Sequence, residues 1–222
     1  MRTPVDIYEA YKIPPWLQLH QLRVAAVGKM VCDVTRLPVD THVVVTTCLL
    51  HDMGAIVKFN FDDQEQGLGL EALCQPEDIP YWRGVQKEMW KKYGEKEHPA
   101  TDAIIKELGV SEAVVQTSRG TGFGGMRAAL QNNSYEILVA QYADMRVGPF
   151  GILSLHDRLS DVRSRYEKRL RDANKYEAFE ENFTLSAEIE QRLFADATLV
   201  PEDINDVSAA PIIEELRNYP VS

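Results

Sequence analysis

The chain has 222 residues, 45% hydrophobic and 26% charged, and its 24 Lys and Arg against 34 Asp and Glu give a formal net charge of −10. That acidity argues against long nucleic acid as a partner, because binding a polyanion depends on basic groups that neutralise phosphates. The length is enough for one sizeable domain that buries a core without disulfides. No stretch approaches the ~18 uninterrupted apolar residues of a membrane span, and residues 1–6 lack the apolar segment of a signal peptide. Cys32, Cys48 and Cys74 form no metal-binding spacing. An odd cysteine count with two thiols in apolar patterns reads as reduced cysteines in a cytoplasmic protein.

In chain order, a short helix over 4–11 ends ahead of Pro14 and Pro15, which open a second helix over 15–33. On it His20, Val24, Val27 and Val31 fall at i, i+4, i+7 and i+11, so an imidazole shares the apolar, inward stripe. Taken singly, such a histidine is either a hydrogen-bonded core residue or a ligand. A turn at 37–40 follows, with Asp40 as N-cap of a helix over 41–58. Its β-branched run at 43–47 would suit a strand, but apolar character that continues through Leu50 to Phe59 is long for one. Apolar residues nearly all round make this the central buried helix. It carries Leu49-Leu50-His51-Asp52-Met53-Gly54, an imidazole and a carboxylate side by side at the end of the most apolar run, where burial demands a salt bridge, a hydrogen-bond network or a cation. Gly54 suits a close backbone approach or a sharp turn.

Residues 60–78 turn polar and read as a long loop, either a lid over a site or a surface excursion. Asp78 caps a helix that Gly94 stops, with Trp82, Val85 and Met89 as its stripe. His98 precedes a helix over 99–108 closed by Gly109, and Ser111 caps the next. The stretch Arg119-Gly120-Thr121-Gly122-Phe123-Gly124-Gly125 lacks the Gly-Lys-Ser/Thr of a Walker loop and reads as a connection or, alternatively, a loop whose amides touch phosphate. Ser134 caps a helix over 135–147 on which Ile137, Ala140, Gln141 and Asp144 share a face. An acidic residue on an inward stripe is unusual unless paired or bound to a cation. After a break at 148–151, a long charged helix is predicted over 154–179 with Leu155, Leu159, Val162, Tyr166 and Leu170 as its stripe. The second His-Asp pair, His156-Asp157, lies in its first turn and reads as a surface feature. The charged face of this helix suits a second copy of the chain, making a homo-oligomer, or solvent equally. Helices at 186–194 and 211–218 read as packing appendages.

His20, His51, Asp52 and Asp144 thus each lie on an inward face. Two imidazoles and two carboxylates form a nitrogen/oxygen set suited to one divalent transition metal, Mn, Fe, Co, Ni or Zn, which the fold must assemble because the spacings are too wide for local chelation. The order H…HD…D resembles the HD superfamily of metal-dependent phosphohydrolases: residues 49–54 are similar to its central motif, 19–25 to its first-histidine segment and 142–146 to its final aspartate segment. The resemblance covers roughly residues 17–147 and implies an all-α fold, a compact HD-type helical bundle. On this reading 1–150 form the catalytic domain and 151–222 are C-terminal helices packing on or extending it. The chain departs from the family in having Ala55 where a lysine often follows the glycine, and in having His98 alone where some members add two histidines for a second metal.

The resemblance implies His20, His51, Asp52 and Asp144 as ligands of one metal that activates water for attack on phosphorus. Asp52 would also orient the nucleophile, Lys58, Arg23 and Arg146 are the candidate cations for the phosphoryl oxygens, and proton delivery falls to His98 or to a loop acid such as Glu71, Glu77 or Asp78. The expected substrate is a small phosphorylated metabolite, foremost a nucleotide, with no membrane partner. The competing readings are a non-catalytic helical module binding a nucleotide or metal, and a di-iron oxygenase.

Overall fold

The computed structural model describes residues 2–61, 73–122, 125–172 and 176–221, and among these the chain forms eleven α-helices with no β-strand beyond an isolated bridge between Val147 and Ile152. The helices are α1 (Pro4–Ala10), α2 (Pro15–Val34), α3 (Thr41–Leu50), α4 (Ile79–Tyr93), α5 (Glu97–Leu108), α6 (Glu112–Gly120), α7 (Met126–Asn132), α8 (Tyr135–Met145), α9 (Leu155–Asp172), α10 (Tyr176–Phe194) and α11 (Asp206–Leu216). The all-α expectation holds. None of the helices among the described residues is long and apolar enough to cross a membrane.

The architecture is organised around α3, in which every residue from Val43 to Leu50 is buried. Asp40 caps it as expected, its carboxylate accepting from the His42 and Val43 amides. α2 and α8 both pack on α3. Gly28 of α2 permits the close approach, since a Cβ there would stand 3.2 Å from Cys48 Sγ and Val44 Cγ1. One hydrophobic core runs through the chain: Leu155, Leu185, Ile189, Leu193, Ile204, Ile213 and Leu216 join the same cluster as the α2, α3 and α8 residues.

Five features differ from the sequence reading. The helix expected over 41–58 stops at Leu50, and after a turn at 51–54 the chain forms a 3-10 helix, Ala55–Lys58. A helix end orphans its last carbonyls, and here two side chains and one backbone amide take them. Tyr8 donates to the Leu49 carbonyl at 2.7 Å, the His51 ring to that of Cys48 at 2.7 Å, and the Met53 amide to that of Leu50 at 3.3 Å. Gln86 and Trp90 of α4 then donate to the Ile56, Phe59 and Val57 carbonyls, so tertiary partners replace continued helix. The helix expected over 154–179 is instead parts of two helices, α9 and α10, packed against each other and joined by Arg163–Glu180 at 2.7 Å; residues 173–175 lie outside the described residues. Leu155, Leu159 and Val162 are buried as anticipated, while the Tyr166 and Leu170 side chains lie outside the described residues. The short α7 has no counterpart in the sequence reading, and α11 begins at Asp206, capped by Asn205, with Pro211 inside it rather than at its start. Finally, Asp78 and Ser134 precede their helices without donating or accepting a side-chain capping bond.

Glycines at 54 and 84 provide a paired stability test. A Cβ at Gly54 would meet Thr101 N at 2.6 Å and Glu97 O at 2.7 Å, both backbone atoms, whereas one at Gly84, within α4, would meet nothing within 4 Å. Denaturant melts should therefore show Gly54→Ala destabilised by about 1–3 kcal/mol and Gly84→Ala stabilised by about 0.5–1 kcal/mol. Equal effects would refute the close approach at Gly54.

Candidate metal centre

α2, the turn after α3, and the last turn of α8 bring His20, His51, Asp52 and Asp144 into one cluster. His20 Nε2 lies 3.3 Å from Asp144 Oδ1 and 3.9 Å from Asp52 Oδ2, and His51 Nε2 lies 3.4 Å and 3.8 Å from the same two atoms. The ligand atoms of His20, His51 and Asp52 all fall within 4.8 Å of one another, and Asp144 joins them through both imidazoles. Atoms each about 2.0–2.2 Å from a shared cation stand on the order of 3–4 Å apart, so the spacing fits a single ion.

Each member is oriented by backbone or neighbour. His51 Nδ1 is held by the Cys48 carbonyl, which places the proton there and leaves Nε2 as the coordinating nitrogen. Nε2 is buried and has no hydrogen-bond partner. A buried imidazole nitrogen that faces two carboxylates without a well-formed hydrogen bond to either is the strongest local sign that the set fits a cation. The Asp52 amide donates to Gln21 Oε1 at 3.3 Å, which ties the turn to α2 beside His20. Gly54 N donates to Thr101 Oγ at 2.9 Å, fixing the same turn to α5. The imidazole side chains are 17% and 9% exposed and the carboxylates 21% and 33%, so the cluster is reached from its carboxylate side.

The electrostatics follow from this crowding. Burial pushes the His51 imidazole down, but the Asp52 charge, the proximity of Asp144 and the Cys48 carbonyl outweigh it and leave His51 raised to about 9. Burial pushes both carboxylates up; for Asp52 the charges of His51, Lys58 and His20 prevail, and for Asp144 the contacts from His20 and His51 do, so both sit below their usual range.

The remaining candidates are placed differently. Lys58 pairs with Glu97, at the start of the helix abutting Gly54, and lies near enough to Asp52 to lower its pKa. His98 is exposed in the first turn of α5 and stands outside the ligand group. Arg23 is bound through Nε to Asp206 at 3.1 Å. Arg146 corrects the sequence reading: it is 2% exposed, donates to the Leu153, Pro201 and Ile204 carbonyls and to the Tyr142 hydroxyl, and serves as an internal clamp rather than a contact for substrate. Two residues upstream of it, Asp144 points to the cluster while Arg146 points to the C-terminal segment, a distinction that sequence adjacency does not reveal. Glu77 and Asp78 are exposed on a 3-10 turn, and Glu71 lies outside the described residues. The Gly122 amide donates to Gln141 Oε1, which makes the glycine-dense stretch a support for α8; Phe123 and Gly124 lie outside the described residues.

The sequence reading missed Glu97, Gln21 and Asp206. Glu97 is adjacent to His98, and Gln21 to His20, yet a lone polar residue beside a named one carries no periodic signal. Asp206 meets Arg23 across 183 residues, a pairing no local pattern encodes.

Two outcomes follow. Because His51 titrates near 9, its imidazole carries a proton at pH 7, and a cation needs it neutral. Calorimetric titration with Mn or Zn in buffers of different ionisation enthalpy should report release of close to one proton at pH 7, with affinity rising about tenfold per pH unit toward pH 9; pH-independent binding would contradict the arrangement. Arg146→Lys should lose on the order of 3 kcal/mol of stability, because an ammonium cannot reproduce the fork, while metal content per folded chain stays constant. No family model, curated protein or solved structure matches this sequence.

Proposed function

We propose that this chain is a metal-dependent phosphohydrolase of the HD type, acting on a small phosphorylated metabolite, foremost a nucleotide, with one divalent transition metal held by His20, His51, Asp52 and Asp144. The observation that carries the reading is the convergence of these four side chains, from three separate elements, with both imidazole Nε2 atoms facing the Asp52 and Asp144 carboxylates at 3.3–3.9 Å. When bound, such a metal supplies Lewis acidity toward a phosphoryl oxygen and toward water.

The chain's own groups complete the chemistry. The Asp52 oxygen that does not face the imidazoles accepts the proton of the attacking water and so aligns it. Lys58, positioned by Glu97 on one side of Asp52, and Arg23, positioned by Asp206 one turn from His20, stabilise negative charge on the phosphoryl oxygens. His98, exposed in the first turn of α5, protonates the leaving oxygen. The other histidines favour a single metal rather than two: His42 is bonded to Tyr219, and His98 and His156 are exposed and not members of the ligand group. The net charge of −10 favours a small phosphate ester over a polymer, and three free thiols accord with a cytoplasmic protein.

Elemental analysis beside a phosphate-release screen over nucleotides with Mn, Co and Ni tests the reading. The expected result is about one transition metal per chain, lost in His51→Ala and Asp144→Ala, with turnover reduced at least 10³-fold, roughly the loss seen when a catalytic charge is removed. Metal retained without any turnover would favour the regulatory module, two metals per chain the oxygenase, and no metal after reconstitution would remove the hydrolase assignment.

A further inference from the structure

The loop after α8 is joined through Asp206 to Arg23 of α2. Residues 148–151 form a tight turn closed by Gly148 N to the Gly151 carbonyl at 2.8 Å and by Leu153 N to the Arg146 carbonyl at 2.7 Å. Phe150 stands on this turn 66% exposed, although burying a phenylalanine is worth about 1.5–3 kcal/mol. Phe150 borders a half-open pocket of about 270 Å³ together with Pro149, Gly151, Asp161 and Asp206. Asp206 is locked in place, its Oδ1 accepting from Arg23 Nε and its Oδ2 from the Ile152 amide at 3.0 Å. A Cβ at Gly151 would lie 2.5 Å from Asp206 Oδ2, so glycine is what lets the turn close on the carboxylate. Each carboxylate oxygen has a second lone pair and can take one more donor.

This cavity is tied to the cluster at two points. Arg23 lies three residues from His20, on the same face of α2, and the turn starts four residues beyond Asp144. Its chemistry orients a ligand: Asp161 is taken up by Arg158 and Arg165, which leaves Asp206 as the acceptor for N–H donors, an exposed aromatic ring stacks on a planar heterocycle, and the volume suits one ring system rather than a polymer. Trp16, by contrast, is only partly exposed and packs against Phe59 and Trp82.

We propose that the Phe150–Asp206 cavity is the base-binding subsite of the enzyme: it stacks an amino-bearing nucleobase on Phe150 and accepts its N–H donors at Asp206, while the phosphate reaches past Arg23 to the His/Asp cluster. This rests on the hydrolase reading, and the test separates the two. Binding of unphosphorylated adenosine, guanosine and cytidine is measured by equilibrium dialysis on wild type and Phe150→Ala, and kinetics are compared between nucleoside 5′-monophosphates and glycerol 2-phosphate, an ester with no base. Phe150 is exposed, so its replacement leaves the fold intact. The expected result is loss of nucleoside binding and a fall of about tenfold or more in nucleotide kcat/KM relative to glycerol phosphate, carried by KM. Gly151→Ala, which displaces Asp206, should shift the same ratio in the same direction. An unchanged ratio, or nucleoside binding indifferent to Phe150, overturns the subsite even if phosphate is released. Phenylalanine-dependent nucleoside binding without hydrolysis of either ester supports the subsite and removes the hydrolase reading.

Discussion

Two carboxylates and two imidazoles share one largely enclosed space at the end of a fully buried helix, and the balance of charge in that space constrains the structure around it. Acidic side chains taken out of water need partners, and here they are given imidazoles at 3.3–3.9 Å rather than strong hydrogen bonds. For the four groups to stay at that spacing, α3 must end at the right residue. Its end is set by Tyr8, by the Cys48 carbonyl under His51, and by the contact of Gly54 with the backbone of α5. Each of these uses a different segment, so displacement of any one alters the geometry of all four side chains.

The C-terminal third belongs to this arrangement. Arg146, two residues after Asp144, turns away from the cluster and gathers the carbonyls of Leu153, Pro201 and Ile204, anchoring the chain that leads into α11. Asp206, at the start of that helix, returns to α2 and fixes Arg23 by its Nε. A planar guanidinium with five donors can satisfy several carbonyls at once, which explains an arginine in the interior. The two arginines adjoining the ligand segments thus have opposite fates: one is enclosed as a clamp and the other is held at the rim.

Sequence periodicity by itself determined the helical class, the central place of the 41–50 segment, and the inward faces of His20 and Asp144, because helical faces repeat every 3.6 residues and a buried stripe is visible in one chain segment. The His51-Asp52 pair was legible for the same reason, standing where an apolar run ends. Local pattern could not show that the helix breaks at Leu50, since the chain beyond it remains apolar and the break is stabilised by Gln86 and Trp90 from α4. It read 154–179 and 186–194 as two helices but could not show that Tyr176 already belongs to the second, because the pairing of Arg163 with Glu180 becomes evident only when the two helices meet. The roles of Arg146, Glu97 and Asp206 were decided by tertiary structure alone. A charge takes its meaning from its partners, and those partners lie as far as 183 residues away along the chain; periodicity reports which way a residue faces, whereas only the folded packing determines what it meets.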